Sequence, residues 1–537
     1  MAGRYSAMTS YFCVAFLAVF LPLCIVIYAI VPQKAKKYFL LIASCAFYWL
    51  ISGKLIVYLL LTVLSMHYFG IWIDRIHMQR KAAVKAAEKS ERKAIKKSYL
   101  LRTRFVLLFA AVLHIGTLLM LKYSPFFTQN INTVLHHLHI PVKIGIPSFI
   151  LPIGISFFTL QAMSYLFDVY RETVKADENV FRLALFISFF PQIVEGPICR
   201  YSQTADQLWN VKQITFTNLT FGIQRILFGL MKKLVVADRL NPLITEVFDN
   251  YAKYDGGIIA LGAICYTVQL YMDFSGTMDA VMGTAQIFGV TMPENFKRPF
   301  FSKTISEFWQ RWHITLGTWF KDYIFYPVTM SKPMKNLTSS ARKKMGNHFG
   351  PLIAGGIALF CVWFCNGLWH GAAWSYIFFG MYHFVLILTG NIVSPAVKAI
   401  NKKLHINPEW FVYRLIQIIR SCVLVVIGEL FFRANGLKAG LAMFKTMITN
   451  FKFTPLNDDL FTPLGIDHYD FIIVCVTLAI VFVVSILNEK GIDIRSSLKK
   501  RNIVLRWAVL YALIMFIIIF GAYGAGYVPV DPIYANF

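Results

Sequence analysis

Two histidines carry the chemistry this sequence offers. His370 lies inside CVWFCNGLWHGAAWSYIFFGMYH, residues Cys361–His383, a run otherwise apolar enough for lipid. An imidazole has the one ordinary side-chain pKa close to neutrality, so it can exchange a proton with a substrate at physiological pH. A membrane histidine can also hydrogen-bond across a helix interface, and this stretch alone leaves both roles open. Asn366 stands one helical turn before His370, where its amide would orient the imidazole and select a tautomer. Trp374 stands one turn after, and Trp369 adjoins it. Gly367 and Gly371 form a small-xxx-small pair that permits close backbone approach. His313 lies in SEFWQRWHITLGTWFKDYIFYP, residues 306–327. On a helix Glu307 and Arg311 fall four apart in the favourable order, and Trp309 falls one turn from His313. The charges and tryptophans, Trp312 among them, suit a helix at or dipping into an interface. His313 is then a second proton-transfer group, a donor to a carbonyl, or a histidine anchored among aromatics.

Other polar residues sit within apolar sequence. Asp273 and Asp279 flank Ser275 in YMDFSGTMDA at the end of an apolar helix. Two acids there are expensive unless hydrated or paired, which favours pairing or the lining of a tunnel. Glu195 and Arg200 lie in FFPQIVEGPICRY, where Pro191, Gly196 and Pro197 predict a broken or re-entrant helix. Glu195 either lines a cavity or partners a buried base. His136, His137 and His139 lack matching carboxylate or cysteine ligands nearby, so no metal is expected.

These residues need elements to hold them, and composition says which kind. Of 537 residues 57% are hydrophobic and 15% charged, which implies a polytopic membrane protein. The apolar runs show no two-residue alternation, so the expected class is all-α. The net charge of +26 would suggest nucleic acid in a soluble protein. Here the basic residues fall in short loops between apolar runs, so they report membrane orientation and attraction to anionic lipid headgroups instead. The nine cysteines show no paired spacing, and neither a disulfide framework nor a zinc site is indicated.

Tyr11–Val31 is long for a signal-peptide core and is expected to be a retained span. Apolar runs follow at 38–51 and 55–73, turning at Ser52 and Gly53. Residues 74–104 hold eleven Lys/Arg against three acids and are expected to be helical and cytoplasmic. Spans are expected at 105–121, 150–167, 221–236 and 257–272, with the broken helix at 181–198. The basic segments 331–348, 398–403 and 490–501 also belong inside, which makes the chain between the first two go out and return. From Gly350 a straight helix rises roughly 30 Å by residue 370, which puts His370 at mid-membrane or toward the outside. Spans at 410–432, 469–487 and 503–520 complete the pattern, with both termini outside. The expected division is 1–104, a core at 105–435, and 436–537.

Together FFPQIVEGPICRY, YMDFSGTMDA, PENFKRPF, FWQRWHITLGTWFKDYIFYP, NGLWHGAAW and FFRA, with LPIGISFFTLQAMSYLFDVYR and GLMKKLVVADRL, run in order from about residue 150 to 435. In these motifs the chain resembles the membrane-bound O-acyltransferase family, in the bacterial branch that holds alginate O-acetyltransferase and the teichoic acid D-alanyl transferase. The resemblance implies a ring of transmembrane helices around a funnel or tunnel, with re-entrant and interfacial helices. It makes His370 the catalytic histidine and His313 the second one. It makes Asn366, Trp369, Trp374, Arg311, Trp312, Asp273, Ser275, Glu195 and Arg200 candidates for tunnel or positioning roles. The implied reaction moves an acyl group, acetyl in the nearer branch, from cytosolic acetyl-CoA to the outside of a bacterial inner membrane. The partner there is a polysaccharide or an extracytoplasmic acetyltransferase. D-alanyl transfer from a phosphopantetheinyl carrier protein is the alternative. No bound cofactor is implied. Tyr534, in the tail PIYANF, resembles the C-terminal tyrosine motif of this branch, whose phenol can carry the acyl group onward. A transporter is the rival of a different class; no internal repeat supports it. GxSxG, Walker A and HxxxxD motifs do not occur.

Overall fold

A computed structural model describes residues 11–523 and residue 527; Tyr534 lies outside the described residues. We number the helices that matter here α1 (Lys36–Ser52), α2 (Ile56–Ala86), α3 (Arg92–His137), α4 (Ile155–Tyr170), α5 (Val180–Ser188), α6 (Phe216–Leu230), α7 (Asp238–Asp249), α8 (Gly256–Ile287), α9 (Ile305–Arg311), α10 (Ile314–Phe320), α11 (Lys332–His370), α12 (Trp374–Lys403), α13 (Phe411–Arg433), α14 (His468–Glu489) and α15 (Ile503–Phe520). The protein is all-α: among the described residues the one β feature is an isolated antiparallel bridge between Phe296 and Trp312. Among the described residues, eight helical stretches are long and apolar enough to cross a membrane.

The chain divides into two compact units. The first comprises the chain up to Ile223 together with Val281–Pro293. Its aromatic core gathers Phe16, Phe20, Phe47 and Phe190, with ring centroids 5.4–6.4 Å apart. Several expected boundaries shift here for identifiable reasons. The expected first span is a shorter helical stretch, Ala15–Ile30, roughly 24 Å long. The span expected at 150–167 is instead α4, almost wholly buried, with the amide of its buried Gln161 donating to the Phe186 oxygen at 2.8 Å. Its start is delayed by Gly154, whose φ is +74° and where a Cβ would lie 2.3 Å from the Ile193 carbonyl oxygen. The run expected at 105–121 belongs to α3, which continues with Pro125 inside it to His137. The breakers Pro191, Gly196 and Pro197 act as their types require: α5 stops at Ser188, and residues 189–200 are non-helical. Glu195 and Arg200 are buried in this stretch. Glu172 takes Arg80 and Lys81 of the basic segment, the second at 2.9 Å, and these cations pull its carboxyl down to about 2.

The second unit comprises Gln224–Ala280 and the described residues from Glu294 onward. The run expected as a span at 221–236 passes without a break from α6 through a π-helical stretch, Met231–Ala237, into α7. Gly229 and Gly276 face one another there: a Cβ on Gly229 would lie 2.4 Å from the Gly276 oxygen, and one on Gly276 2.8 Å from the Gly229 oxygen. That approach lets consecutive lysines reach α8 carboxylates. Lys232 pairs with Asp279 at 2.7 Å, and Lys233 with both Asp273 and Asp238 at 2.8 Å. Arg225 completes the set with Asp279 at 2.9 Å and Glu294 at 2.7 Å. The acids in YMDFSGTMDA are therefore paired, as apolar surroundings demand.

Helices α11, α12 and α13 form an antiparallel group. α11 bends at Gly346, whose φ of +79° only glycine reaches without strain. Substitution of Gly229 by valine is expected to lower stability by at least the roughly 1–3 kcal/mol of ordinary overpacking, because the obstruction is backbone. A thermal melt in detergent would show it as a depressed midpoint; an unchanged midpoint would contradict the glycine contact.

Candidate functional site

His370 is the last residue of α11, and Gly371 to Ala373 break the chain before α12 begins at Trp374. The break corrects the expectation that Trp374 sits one turn beyond His370 on a shared helix; Trp374 is more than half exposed. What brings α12 back so closely is glycine. A Cβ on Gly367 would lie 2.5 Å from the Tyr376 oxygen, and one on Gly380 2.4 Å from the Trp363 oxygen. A Cβ on Gly371 would lie 2.3 Å from the Tyr376 ring, so Gly367 and Gly371 both serve helix packing.

The His370 imidazole is buried among aromatic edges: Trp369 at 5.0 Å, Phe432 of α13 at 5.1 Å and Phe379 of α12 at 6.1 Å between centroids. Trp369 also contacts His313, at 5.7 Å. The two histidines, 57 positions apart in sequence, thus pack on one indole. Asn366 is buried one turn behind His370, and its Oδ1 has no hydrogen-bond partner among the described residues. That oxygen therefore does not hold the imidazole, contrary to the expected orienting role.

His313 is not on a helix with Trp309. α9 ends at Arg311, Trp312 turns extended to pair with Phe296, and His313 adopts a left-handed conformation (φ +46°, ψ +49°) before α10. The expected one-turn relation fails because the chain leaves the helix to make that bridge, with the Lys297 amide donating to the Arg311 oxygen at 2.9 Å. A left-handed non-glycine residue is strained, and such residues cluster at functional sites. The strained turn is held by Asn295, which is fully buried. Asn295 Oδ1 accepts from the Thr315 amide and the Thr315 hydroxyl, both at 3.0 Å, and meets His313 Nδ1 at 3.3 Å. The Asn295 backbone oxygen accepts from the Ile314 amide at 3.0 Å.

This arrangement decides a tautomer. An amide oxygen that accepts from a backbone N–H can only accept from His313 as well, so Nδ1 carries the proton and Nε2 the lone pair. Neutral His313 is therefore an acceptor at Nε2, which suits a base or a grip on a hydroxyl and does not suit a donor to a carbonyl. The edge of the His313 ring meets Phe274 of α8 at 4.8 Å, next in sequence to Asp273. Ser275 accepts from Lys232 at 3.3 Å and Asp273 is paired with Lys233, so both belong to the ion-pair layer. Arg311 pairs with Glu307 at 2.8 Å, as the spacing predicted, and also with Glu489 of α14 at 3.2 Å. Trp312 is buried on Phe308, at 5.4 Å. Sequence reasoning missed Asn295, Phe379 and Phe432. Asn295 and Phe432 lie inside the quoted motifs PENFKRPF and FFRA, and the signal was there without a contact to interpret it.

Comparison with known proteins places this geometry in a family. The model described as MBOAT, membrane-bound O-acyltransferase family, matches residues 155–342, which include Asn295 and His313. The probable alginate O-acetylase AlgI of Pseudomonas syringae is 31% identical over 440 residues, 81% of this chain and 74% of that protein. The peptidoglycan O-acetyltransferase of Helicobacter pylori is 28% identical over 468 residues, 81% and 78% of the two chains. The teichoic acid D-alanyltransferase of Bacillus subtilis is 32% identical over 254 residues, 44% of this chain and 58% of that one. With that family match, and at such identity and coverage, the chain belongs to the membrane-bound O-acyltransferase family.

Proposed function

We propose that this multi-pass membrane acyltransferase moves an acetyl group from a cytosolic thioester, acetyl-CoA, to a hydroxyl destined for a polysaccharide outside the membrane. The observation that carries the reading is the pair of buried histidines that both pack on Trp369, one with its tautomer set by Asn295. Family membership supplies the reaction class and turns the transporter reading aside. Similarity to the alginate and peptidoglycan O-acetyltransferases over about four-fifths of the chain favours acetyl over D-alanyl, since the Bacillus subtilis D-alanyltransferase covers 44% of it.

In the proposed reaction a neutral imidazole, His370, takes the proton from the acceptor hydroxyl as its oxygen attacks the thioester carbonyl. The carbon–oxygen bond forms, the carbon–sulfur bond breaks, and the proton passes to the departing thiolate. His313, an acceptor at Nε2, suits taking a hydrogen bond from another N–H or O–H of the bound substrates, since the one proton of the attacking hydroxyl goes to His370. Polarisation of the carbonyl then falls to N–H donors such as the Asn366 amide. The basic segments 74–104, 331–348, 398–403 and 490–501 favour the cytoplasmic side of a bacterial inner membrane, with both termini outside. On that topology α11 starts inside and carries His370 toward the other face. The natural recipient is a polysaccharide or an extracytoplasmic acetyltransferase that serves one. Tyr534 remains the proposed relay, its phenol taking the acetyl group from the site.

Three outcomes test this reading. With purified protein and radiolabelled acetyl-CoA, His370→Ala is expected to lower acetyl transfer by about 10²–10⁴-fold; equal transfer by variant and wild type would refute it. Asn295→Leu frees the His313 tautomer and is expected to cut kcat about tenfold or more, with KM for the donor little changed. A KM effect alone would count against Asn295 acting through His313. Mass spectrometry of the C-terminal peptide after turnover should find acetyl on Tyr534; an unmodified tyrosine together with full activity in Tyr534→Phe would sink the relay.

A further inference from the structure

We propose that His383 is a positioning residue for the His313 segment, acting through a clamp that it forms with Trp309 and Gly428. The inference rests on the reading of His370 and His313 as the acyl-transfer pair. The indole Nε1 of Trp309, on α9, donates to Nδ1 of His383, on α12, at 3.2 Å. A donor at Nδ1 requires the lone pair there, so neutral His383 carries its proton on Nε2.

The His383 imidazole is completely buried. It meets Trp309 edge-on at 4.9 Å, Phe379 at 4.7 Å and Trp363 of α11 at 5.4 Å. Its far side is open to α13 only because position 428 is glycine: a Cβ there would lie 2.7 Å from Nε2. Four elements, α9, α11, α12 and α13, therefore meet on one imidazole. His383 does not reach the reacting atoms. Trp363 precedes His370 by seven residues on α11, about 10 Å along the axis. Phe379 bridges the two histidines, 4.7 Å from His383 and 6.1 Å from His370.

The effect on catalysis runs through α9. Trp309 lies two residues before that helix ends, and Trp312 and His313 follow with no loop between. Asn295 holds the strained turn at its downstream side. The Trp309–His383 bond ties its upstream side to the helix that returns from His370. Displacing a catalytic group by a fraction of an ångström is enough to slow a reaction that depends on orientation.

A histidine that merely fills space would tolerate any side chain of similar volume. The clamp needs an acceptor at one place. Asparagine puts an amide oxygen near the Nδ1 position, whereas leucine keeps bulk without an acceptor. In steady-state acetyl-CoA turnover by the purified full-length protein, His383→Leu is expected to lower kcat about ten- to a hundredfold, with KM for acetyl-CoA within about threefold. His383→Asn should return kcat to within about threefold of wild type. Trp309→Phe should match His383→Leu, and the double variant should be no slower than either, since one bond cannot be lost twice.

An asparagine variant as slow as the leucine one, multiplying effects in the double variant, or wild-type kcat in His383→Leu would each overturn the clamp. If His383→Leu fails to fold, Trp309→Phe and His383→Asn decide the matter by the same criteria. His370→Ala in the same assay separates the two levels. Full activity there defeats the acyl-transfer reading and the clamp with it. Loss there beside wild-type kcat in His383→Leu and Trp309→Phe defeats the clamp alone.

Discussion

A polar group buried away from water must find its partner inside the protein, and in the second unit that requirement converges on Asn295. One side-chain oxygen takes the Thr315 amide, the Thr315 hydroxyl and the His313 imidazole. Removing it would take one acceptor from all three donors, at roughly 1–3 kcal/mol for any that is left unmet. The left-handed turn at His313 persists because those bonds over-determine it. The same bonds set the imidazole tautomer, so a structural obligation and a chemical property have one cause.

The second histidine depends on close backbone approach. α11 must stop at His370 for the chain to reverse, and α12 must pass within contact of α11 for Phe379 to reach the imidazole. Gly367 and Gly380 allow this, since any side chain at either would collide with a carbonyl of the facing helix. Helix association in a membrane draws on packing more than on the hydrophobic effect, which is why small residues carry so much here. Phe432 then closes the wall from α13.

Charge is treated in the same way. Lys232 and Lys233 are successive residues of a π-helical stretch, yet both find carboxylates on α8. The Gly229–Gly276 contact brings the two backbones near enough for this. The result is an ion-pair layer beside the site: Asp273 is paired with a lysine, while its neighbour Phe274 packs on His313. The pairing explains why Asp273 and Asp279, which look chemically suggestive in sequence, are better understood as structure.

Much of this was legible in order along the chain. Apolar runs and basic loops established an all-α membrane protein, and Pro191, Gly196 and Pro197 marked a helix break that is present. The motif set pointed to His370 and His313, and the spacing of Glu307 and Arg311 foretold their ion pair. Such features are local: they follow from hydropathy, from backbone stereochemistry and from helical period. What failed was extrapolation of that period past Arg311 and past His370, where the chain leaves the helix for contacts that no local rule contains. Asn295 with His313, His370 with Phe432 and Trp309 with His383 are pairs 18, 62 and 74 residues apart. The sequence by itself determined the membrane class, the chemistry-bearing residue types and their family. Only the tertiary structure decided which nitrogen of His313 holds its proton and which side chains wall His370, because those properties arise from hydrogen bonds and packing between segments whose approach is set by the whole fold.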